Sequence, residues 1–286
     1  INPMAGRQQA QTDLYKMVKI FADHDYEVTV YPTRARLDCT RKVLEDAGRF
    51  DLVVCCGGDG TLNEMVSGMM QRQDRRPMGY IPLGSTNDLA VSLRLPTRVE
   101  EAALRAVTGN EFHMDVGTLN DRYFNYIAAF GAFTETSYAT PQEIKNALGH
   151  LAYILEGVKS LGKILPIHVK ITADDEQFEE DYLFGAVTNT ISLGGVLKLD
   201  PEKVLLDDGM YELLLVKNPT NALEAQAMLT AIMTQNFDGP LVKMFHASDI
   251  TFESSHEISW TIDGEYGGTF SHTHILNNKN AVTLIV

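Results

Sequence analysis

Residues 52–66 run Leu-Val-Val-Cys-Cys-Gly-Gly-Asp-Gly-Thr-Leu-Asn-Glu-Met-Val, and few folds accommodate that order. Leu52–Cys56 is a short unbroken apolar run, the pattern of a strand buried on both faces of a parallel sheet. Gly57, Gly58 and Gly60 follow at once, which predicts a turn through positive φ where backbone N–H groups can approach a ligand. Thr61-Leu62-Asn63-Glu64 then reads as a capping box. The Thr61 hydroxyl accepts from the N–H of residue 64, and Glu64 reaches back to the N–H of residue 61. Strand, glycine turn and capped helix make an anion cradle, with N–H groups and the positive helix end facing one point. Asp59 sits inside that cradle, where it repels a bare phosphate. A divalent cation between the two removes the conflict, so the loop suits a Mg-nucleotide. Read alone, the string is also an ordinary strand–helix turn. It is not G-x-G-x-x-G, and it lacks the Lys of a Walker A loop.

Around this stretch the chain alternates strand, turn and helix. Asn2-Pro3-Met4-Ala5-Gly6 reads as a strand-to-helix turn, followed by a helix near 9–23 with Leu14, Met17, Val18 and Phe21 on one face. A strand is predicted at 27–31, with Thr33 just past its end, and Asp38 caps a helix over 39–48. After 52–56 and a helix over 62–71 come a strand at 79–82, a capped helix at 85–93 and a helix at 99–108. That rhythm is the signature of a doubly wound α/β nucleotide-binding domain.

The rhythm changes near Asp115-Val116-Gly117. Short strands at 123–129, 167–172, 181–188, 210–217, 249–253, 257–262 and 281–286 read as an antiparallel sandwich or barrel. Two helices interrupt them: one opens at Thr140-Pro141-Gln142-Glu143 and runs to about Lys163, and one spans 221–235. The expected division is therefore 1–115 as the α/β domain and 116–275 as a larger β-rich domain, with a terminal strand at 276–286 able to pack back on the first.

Other segments have chemical potential. Pro82-Leu83-Gly84-Ser85-Thr86-Asn87-Asp88 again ends a strand in Gly and opens a helix with hydroxyls, and it is also a plain N-cap. Asp263-Gly264-Glu265 is a hairpin signal. Asp115 reads locally as a turn-former before Gly117, and Leu205-Leu206-Asp207-Asp208-Gly209-Met210 as an acidic turn between strands. His272 and His274 lack a completing ligand for zinc and read as a solvated strand face. Cys55 and Cys56 read as packing residues, and Arg72, Arg75 and Arg76 as a helix C-terminal cluster. The apolar 151–165 segment reads as core rather than membrane contact.

Gly57–Glu64 resembles the nucleotide loop of the diacylglycerol kinase catalytic domain family, which includes soluble bacterial lipid kinases and sphingosine kinases. Asn2-Pro3 with Gly6, residues 82–88 and residues 263–265 agree with it in order and spacing. The resemblance implies an ATP- and Mg-dependent lipid kinase acting on diacylglycerol or a similar lipid. It places Asn2, Thr33, Gly57, Gly58, Asp59, Gly60, Thr61, Asn63, Glu64 and Thr86 at the nucleotide, and makes Glu265 the general base. It also joins Asp59 and Asp115 in a water-mediated Mg network. A separate structural Mg site is implied at the Asp208 carboxylate with the carbonyls of Leu205 and Met210. A NAD kinase shares the Gly-Gly-Asp-Gly loop, and a nonenzymatic nucleotide or lipid sensor could use the same fold.

Composition narrows the partners. Of 286 residues, 44% are hydrophobic, enough for two ordinary cores. No window approaches ~18 uninterrupted apolar residues, so no membrane span is expected. The chain opens at Ile1-Asn2-Pro3, which reads as the end of a strand begun upstream. Three cysteines make no disulfide framework and suit a reducing cytoplasm. A net charge of −14 argues against nucleic acid and against general adsorption to an anionic membrane. A lipid substrate must then be met at the membrane surface by a local patch, in a peripheral and transient contact. An exposed strand edge in the second domain could pair two copies as a homodimer.

Overall fold

The apolar run at 52–56 is β1, Val53–Gly57, in a computed structural model that describes residues 1–132, 165–193, 197–199 and 204–286. It pairs in parallel with β2, Met78–Pro82, whose five residues are all buried. Helices cover both faces of this pair. Helices α1 (Leu14–Asp23) and α5 (Val99–Thr108) pack against Cys56 and Ile81, while α2 (Asp38–Asp46) and α3 (Asp59–Met70) pack against Cys55 and Tyr80. Helix α4, Asp88–Ser92, is shorter than the predicted 85–93 because residues 84–87 are used in a turn.

The predicted strand at 27–31 is extended chain but joins no ladder among the described residues. Val28 and Val30 stay exposed because no neighbouring strand covers them. Its tether is Ile1, whose ammonium donates to Tyr31 O at 2.9 Å and whose carbonyl accepts from Thr33 N–H at 2.9 Å.

The remaining strands are β3 (Glu111–Leu119), β4 (Arg122–Phe124), β5 (Ile127–Gly131), β6 (Ile167–Ala173), β7 (Glu176–Thr188), β8 (Tyr211–Lys217), β9 (Val242–Ala247), β10 (Asp249–Ile262) and β11 (Glu265–Ile285). Helix α6, Ala222–Thr234, is capped by the Asn221 side chain. Among the described residues these eleven strands form one sheet, in the order β1-β2-β11-β10-β5-β7-β8-β9, with β3, β4 and β6 paired off that path, while two further short strands, Ser192–Leu193 and Leu197–Lys198, pair antiparallel in a sheet of their own. Strands β7 and β10 each switch partner along their length, from β6 to β5. The four strands therefore close a ring, giving the β-rich half its barrel-like character. Trp260, Phe130 and Phe252 fill it, with ring centroids 4.9–5.7 Å apart in edge-to-face geometry.

Three elements escaped the sequence pattern: β9, β3 and most of β11. Gly117 and Asp115 made β3 look like a turn, yet Gly117 is there because a Cβ would stand 2.2 Å from the Phe124 ring. Strand β11 was split by Gly267-Gly268 and Asn277–Asn280, which are bulges within one long strand. Its end pairs with β3 and, at Leu284, with Met78 of β2, so the C-terminal residues join the parallel strands. Arg72, Arg75 and Arg76 hold carbonyls of Leu44, Ala281 and Gly48. The predicted helix at 140–163 and the apolar segment at 151–165, but for Leu165, lie outside the described residues.

Candidate active site

Three chain segments end together at the tip of β1. Asn2 N–H donates to Cys56 O at 2.8 Å, and Leu83 N–H donates to Gly57 O at 2.7 Å. The glycines there serve close approach, not positive φ. Gly58 has φ −94°, and neither Gly57 nor Gly60 is in the left-handed region. A Cβ on Gly57 would meet the Thr61 side chain at 2.7 Å, and Gly58 lies against Gly84, whose own Cβ would stand 2.8 Å from Gly58 Cα. The second glycine turn is thus packed directly on the first.

The predicted capping box does not form, because α3 begins three residues earlier than predicted, at Asp59. Thr61 Oγ1 instead accepts from Asn2 Nδ2 at 3.2 Å. The Glu64 carboxylate accepts from the N–H groups of Leu37 and Cys39, so it caps the neighbouring helix α2. Leu37 takes that position with φ 63°, an uncommon conformation for a leucine.

Behind the glycine turn lies a buried group of carboxylates. Asp59 Oδ2 accepts from Asn87 N–H at 2.9 Å, while its Oδ1 is buried with no partner. Burial, reinforced by Asp88 and Asp263, pushes the Asp59 carboxyl up to about 7. Asn87 is fixed in turn, its Oδ1 accepting from Gly84 N–H and Tyr80 OH and its Nδ2 donating to Gly84 O. In the sequence Asp263 reads as half of a hairpin signal and as part of the 263–265 segment. It does form that hairpin, with φ positive at both Asp263 and Gly264, but its buried carboxylate also accepts from the N–H groups of Asn125, Tyr126 and Ile127. Asn63 Nδ2, from α3, donates to the same carboxylate at 2.7 Å. Burial lifts Asp263 to about 6 despite these donors. Asn63 therefore bridges the two halves of the chain, donating also to Tyr123 O, rather than facing the cleft.

The hairpin delivers Glu265 to the mouth of a cleft of about 910 Å³, a volume suited to a small-molecule site. Asn2, Thr33, Gly58, Gly60, Thr61, Glu64 and Glu265 line it together, with Gly84 and Ser85 opposite. Glu265 Oε1 lies 3.1 Å from where a Cβ on Gly60 would stand, one residue from Asp59. Gly57, Asp59 and Asn63 lie behind this lining, and Thr86 is exposed beside Ser85. Sequence reasoning missed Arg34 and Arg36, which also line the cleft. Arg36 Nη2 donates to Glu265 Oε2 at 2.7 Å.

The hydrogen bonds of Asp115 join it to residues other than Asp59. Its Oδ2 accepts from Gly209 N–H and Asn277 Nδ2 and its Oδ1 from Asn280 N–H, which ties it to the acidic turn at 205–210. Burial raises its pKa, with Asp208 adding to the effect. In that turn Asp208 Oδ1 accepts from Met210 N–H, and Met210 O accepts from Asn277 Nδ2, whose own Oδ1 is buried without a partner. Nearby Glu212, unnoticed in the sequence, is buried and lifted to about 8. Among the described residues no three His, Cys, Asp or Glu side chains gather as a ligand set. Two of the unpartnered oxygens, on Asp59 and on Asn277, are hard donors of the kind Mg accepts alongside carbonyls and water.

Two family models match successive parts of the chain. Residues 1–119 match the diacylglycerol kinase catalytic domain, and residues 133–285 match the YegS C-terminal NAD kinase beta sandwich-like domain. A diacylglycerol kinase of Bacillus subtilis (strain 168) is 33% identical, the alignment covering 97% of this chain and 95% of that one. One from Staphylococcus carnosus (strain TM300) is 31% identical over 98% and 92% of the two chains. A crystal structure from Bacillus anthracis str. Sterne superposes with a TM-score of 0.83 at 28% identity, covering 99% of this chain and 92% of that one.

Proposed function

The chain belongs to the diacylglycerol kinase family, phosphotransferases with an alcohol acceptor, and on that premise we propose that it passes the γ-phosphoryl group of Mg-ATP to the hydroxyl of diacylglycerol or a similar lipid. The nucleotide occupies the cleft, its phosphates against Gly58, Gly60 and Thr61 with Asn2, Thr33 and Ser85 around them and Thr86 next to Ser85. Glu265 is the general base that takes the proton of the acceptor hydroxyl as the phosphoryl group moves in line. Asp59, with Asp88 beside it, would hold the catalytic Mg, and Asn63 and Asp263 fix the turn that carries Glu265. A second, structural Mg would be held by the Asp208 carboxylate with the carbonyls of Leu205 and Met210, in the turn whose Gly209 N–H donates to Asp115. When bound at the cleft, Mg neutralises charge on the phosphates.

The observation that supports this reading most strongly is the position of Glu265. A carboxylate carried by the β-rich half stands over Gly60, at the first turn of the helix that follows the glycine loop. A base must come within hydrogen-bond reach of the acceptor while the phosphates rest on that helix end. Incubation with γ-labelled ATP and Mg against diacylglycerol, phosphatidylglycerol, a sphingoid base, a prenol and NAD tests it. Label in diacylglycerol or a related lipid is expected. The β-sandwich match gives NAD a place in the panel: label in NAD alone means a NAD kinase, and label in nothing means a sensor.

The lipid acceptor brings the protein to the membrane surface, in a peripheral and transient contact from the cytoplasm. Among the described residues no helix is long and apolar enough to cross a membrane. Strand β9 stands at the sheet's edge among those residues and is the surface for a homodimer.

A further inference from the structure

Arg36 and Glu265 are 229 positions apart and meet across the mouth of the cleft at 2.7 Å. Both side chains are more than half exposed, at 65% and 53%, so the pair adds little to stability and costs little to break. One of the five guanidinium N–H donors is engaged there, while Arg34 and Arg36 are the cationic side chains lining the cleft. A chain of net charge −14 has few other means of drawing a polyphosphate to this place. The Glu64 carboxylate is spent on Leu37 and Cys39 N–H groups, which holds the turn bearing Arg36 against α3.

We infer that Arg36 exchanges partners: it holds Glu265 while the cleft is empty and moves to the nucleotide phosphates when they arrive, freeing Glu265 for the acceptor hydroxyl. The Glu265 carboxylate is then a stand-in for phosphate, seated over Gly60 on the cation that phosphate will use. This rests on the kinase reading of the cleft and adds an order to it: nucleotide first, base released second. Arg is suited to such an exchange because its fork accepts carboxylate and phosphate alike. Arg36 is a positioning residue toward the acceptor and a ligand toward the nucleotide.

The test is a double-mutant cycle read by calorimetric titration of ADP with magnesium chloride. Glu265→Gln should bind ADP about 2- to 5-fold more tightly than the parent, the range of a screened surface pair. Arg36→Ala should bind it about 10-fold or more weakly, the loss of a charge-assisted contact. In the double variant the gain from Glu265→Gln should vanish. Arg36→Lys, which keeps the charge without the fork, should fall between, and circular dichroism of each variant confirms folding. Unchanged or weaker binding by Glu265→Gln overturns the exchange. So does a gain that persists without Arg36, since that is general relief of negative charge. Lipid phosphorylation with no such coupling sinks the exchange alone, whereas the coupling without any phosphate transfer sinks the kinase reading and leaves the exchange standing.

Discussion

Substituting Gly84 by Ala puts the packing of the two glycine turns to a test. The added Cβ would stand 2.8 Å from Gly58 Cα and 2.6 Å from Asn87 Oδ1. The first neighbour is backbone and cannot rotate away, so relief requires the turns to separate by roughly half an ångström or Asn87 to leave its place. Asn87 makes three side-chain hydrogen bonds, to Gly84 N–H, Gly84 O and Tyr80 OH, and its own N–H reaches Asp59. Losing those bonds or accepting the overlap costs about 2–4 kcal/mol, from ~1 kcal/mol per bond and 1–3 kcal/mol for overpacking. For a chain of this length that is a drop in Tm of roughly 4–10 °C, read by differential scanning calorimetry. Affinity for Mg-ADP should fall about tenfold as the cleft wall shifts, while Gly239→Ala, whose Cβ would meet only Val242 O at 3.8 Å, serves as the control. A Gly84→Ala protein with Tm within about 1 °C of the parent and unchanged ADP affinity refutes the argument that these glycines exist for contact.

Glu265→Ala should lower kcat about 10²- to 10³-fold without abolishing transfer, since positioning and charge neutralisation carry most of phosphoryl transfer; steady-state kinetics with the preferred lipid checks it. Asp263→Ala strands three backbone N–H groups and the Asn63 amide, and urea denaturation should show a loss of roughly 2–5 kcal/mol. The folded-state pKa values of Asp59 and Asp263, about 7 and about 6, lie above the ordinary 3.8, so the native chain holds more protons than the unfolded one between those limits. Their stabilising contribution is therefore complete below about pH 4 and is lost as pH rises through 6 and 7. Urea midpoints of the parent should fall relative to Asp59→Asn across that window, by roughly 1.4 kcal/mol per pKa unit, and a rising difference contradicts the assignment. Cys39 and Cys56, pushed up to about 12 and about 11 by burial, should resist a thiol reagent at pH 8 until urea unfolds the chain.

The fold class was legible because its signals are local. Leu52–Cys56 is apolar without interruption, and strand and helix alternate around it with turn residues at each junction. The two-part plan was legible for the same reason, as the change near 115 is a change of period. What could not be read depends on partners far along the chain. Glu64 looked like the end of a capping box, yet its acceptors are matched to Leu37 and Cys39 on another helix. Gly58 looked like a residue chosen for φ, and only the approach of Gly84 shows otherwise. Asp263 carried a hairpin signal that was true and incomplete, because the donors at 125–127 are more than 130 residues away in sequence. Arg36 had no local mark at all; its meaning arises from Glu265, which a β-strand brings from near the other end of the chain.

The acidity of the site accords with the cation proposed for it. A glycine loop at a helix start offers N–H groups to an anion, yet Asp59 stands in its first turn and Glu265 stands over it. At about 5 Å and an effective dielectric near 20, each carboxylate opposes a phosphate charge by roughly 3 kcal/mol. Arg34 and Arg36 balance that at best in part, since Arg36 is already shared with Glu265. Burial adds to the strain, for Asp59 has an oxygen without any donor beside two further buried acids. The divalent ion proposed for Asp59 would relieve all of these at once: it would supply the missing partner, draw the carboxyl pKa down, and turn a repulsive pocket into one able to hold a triphosphate. The acids that would oppose a bare nucleotide are then what select a metal-bound one.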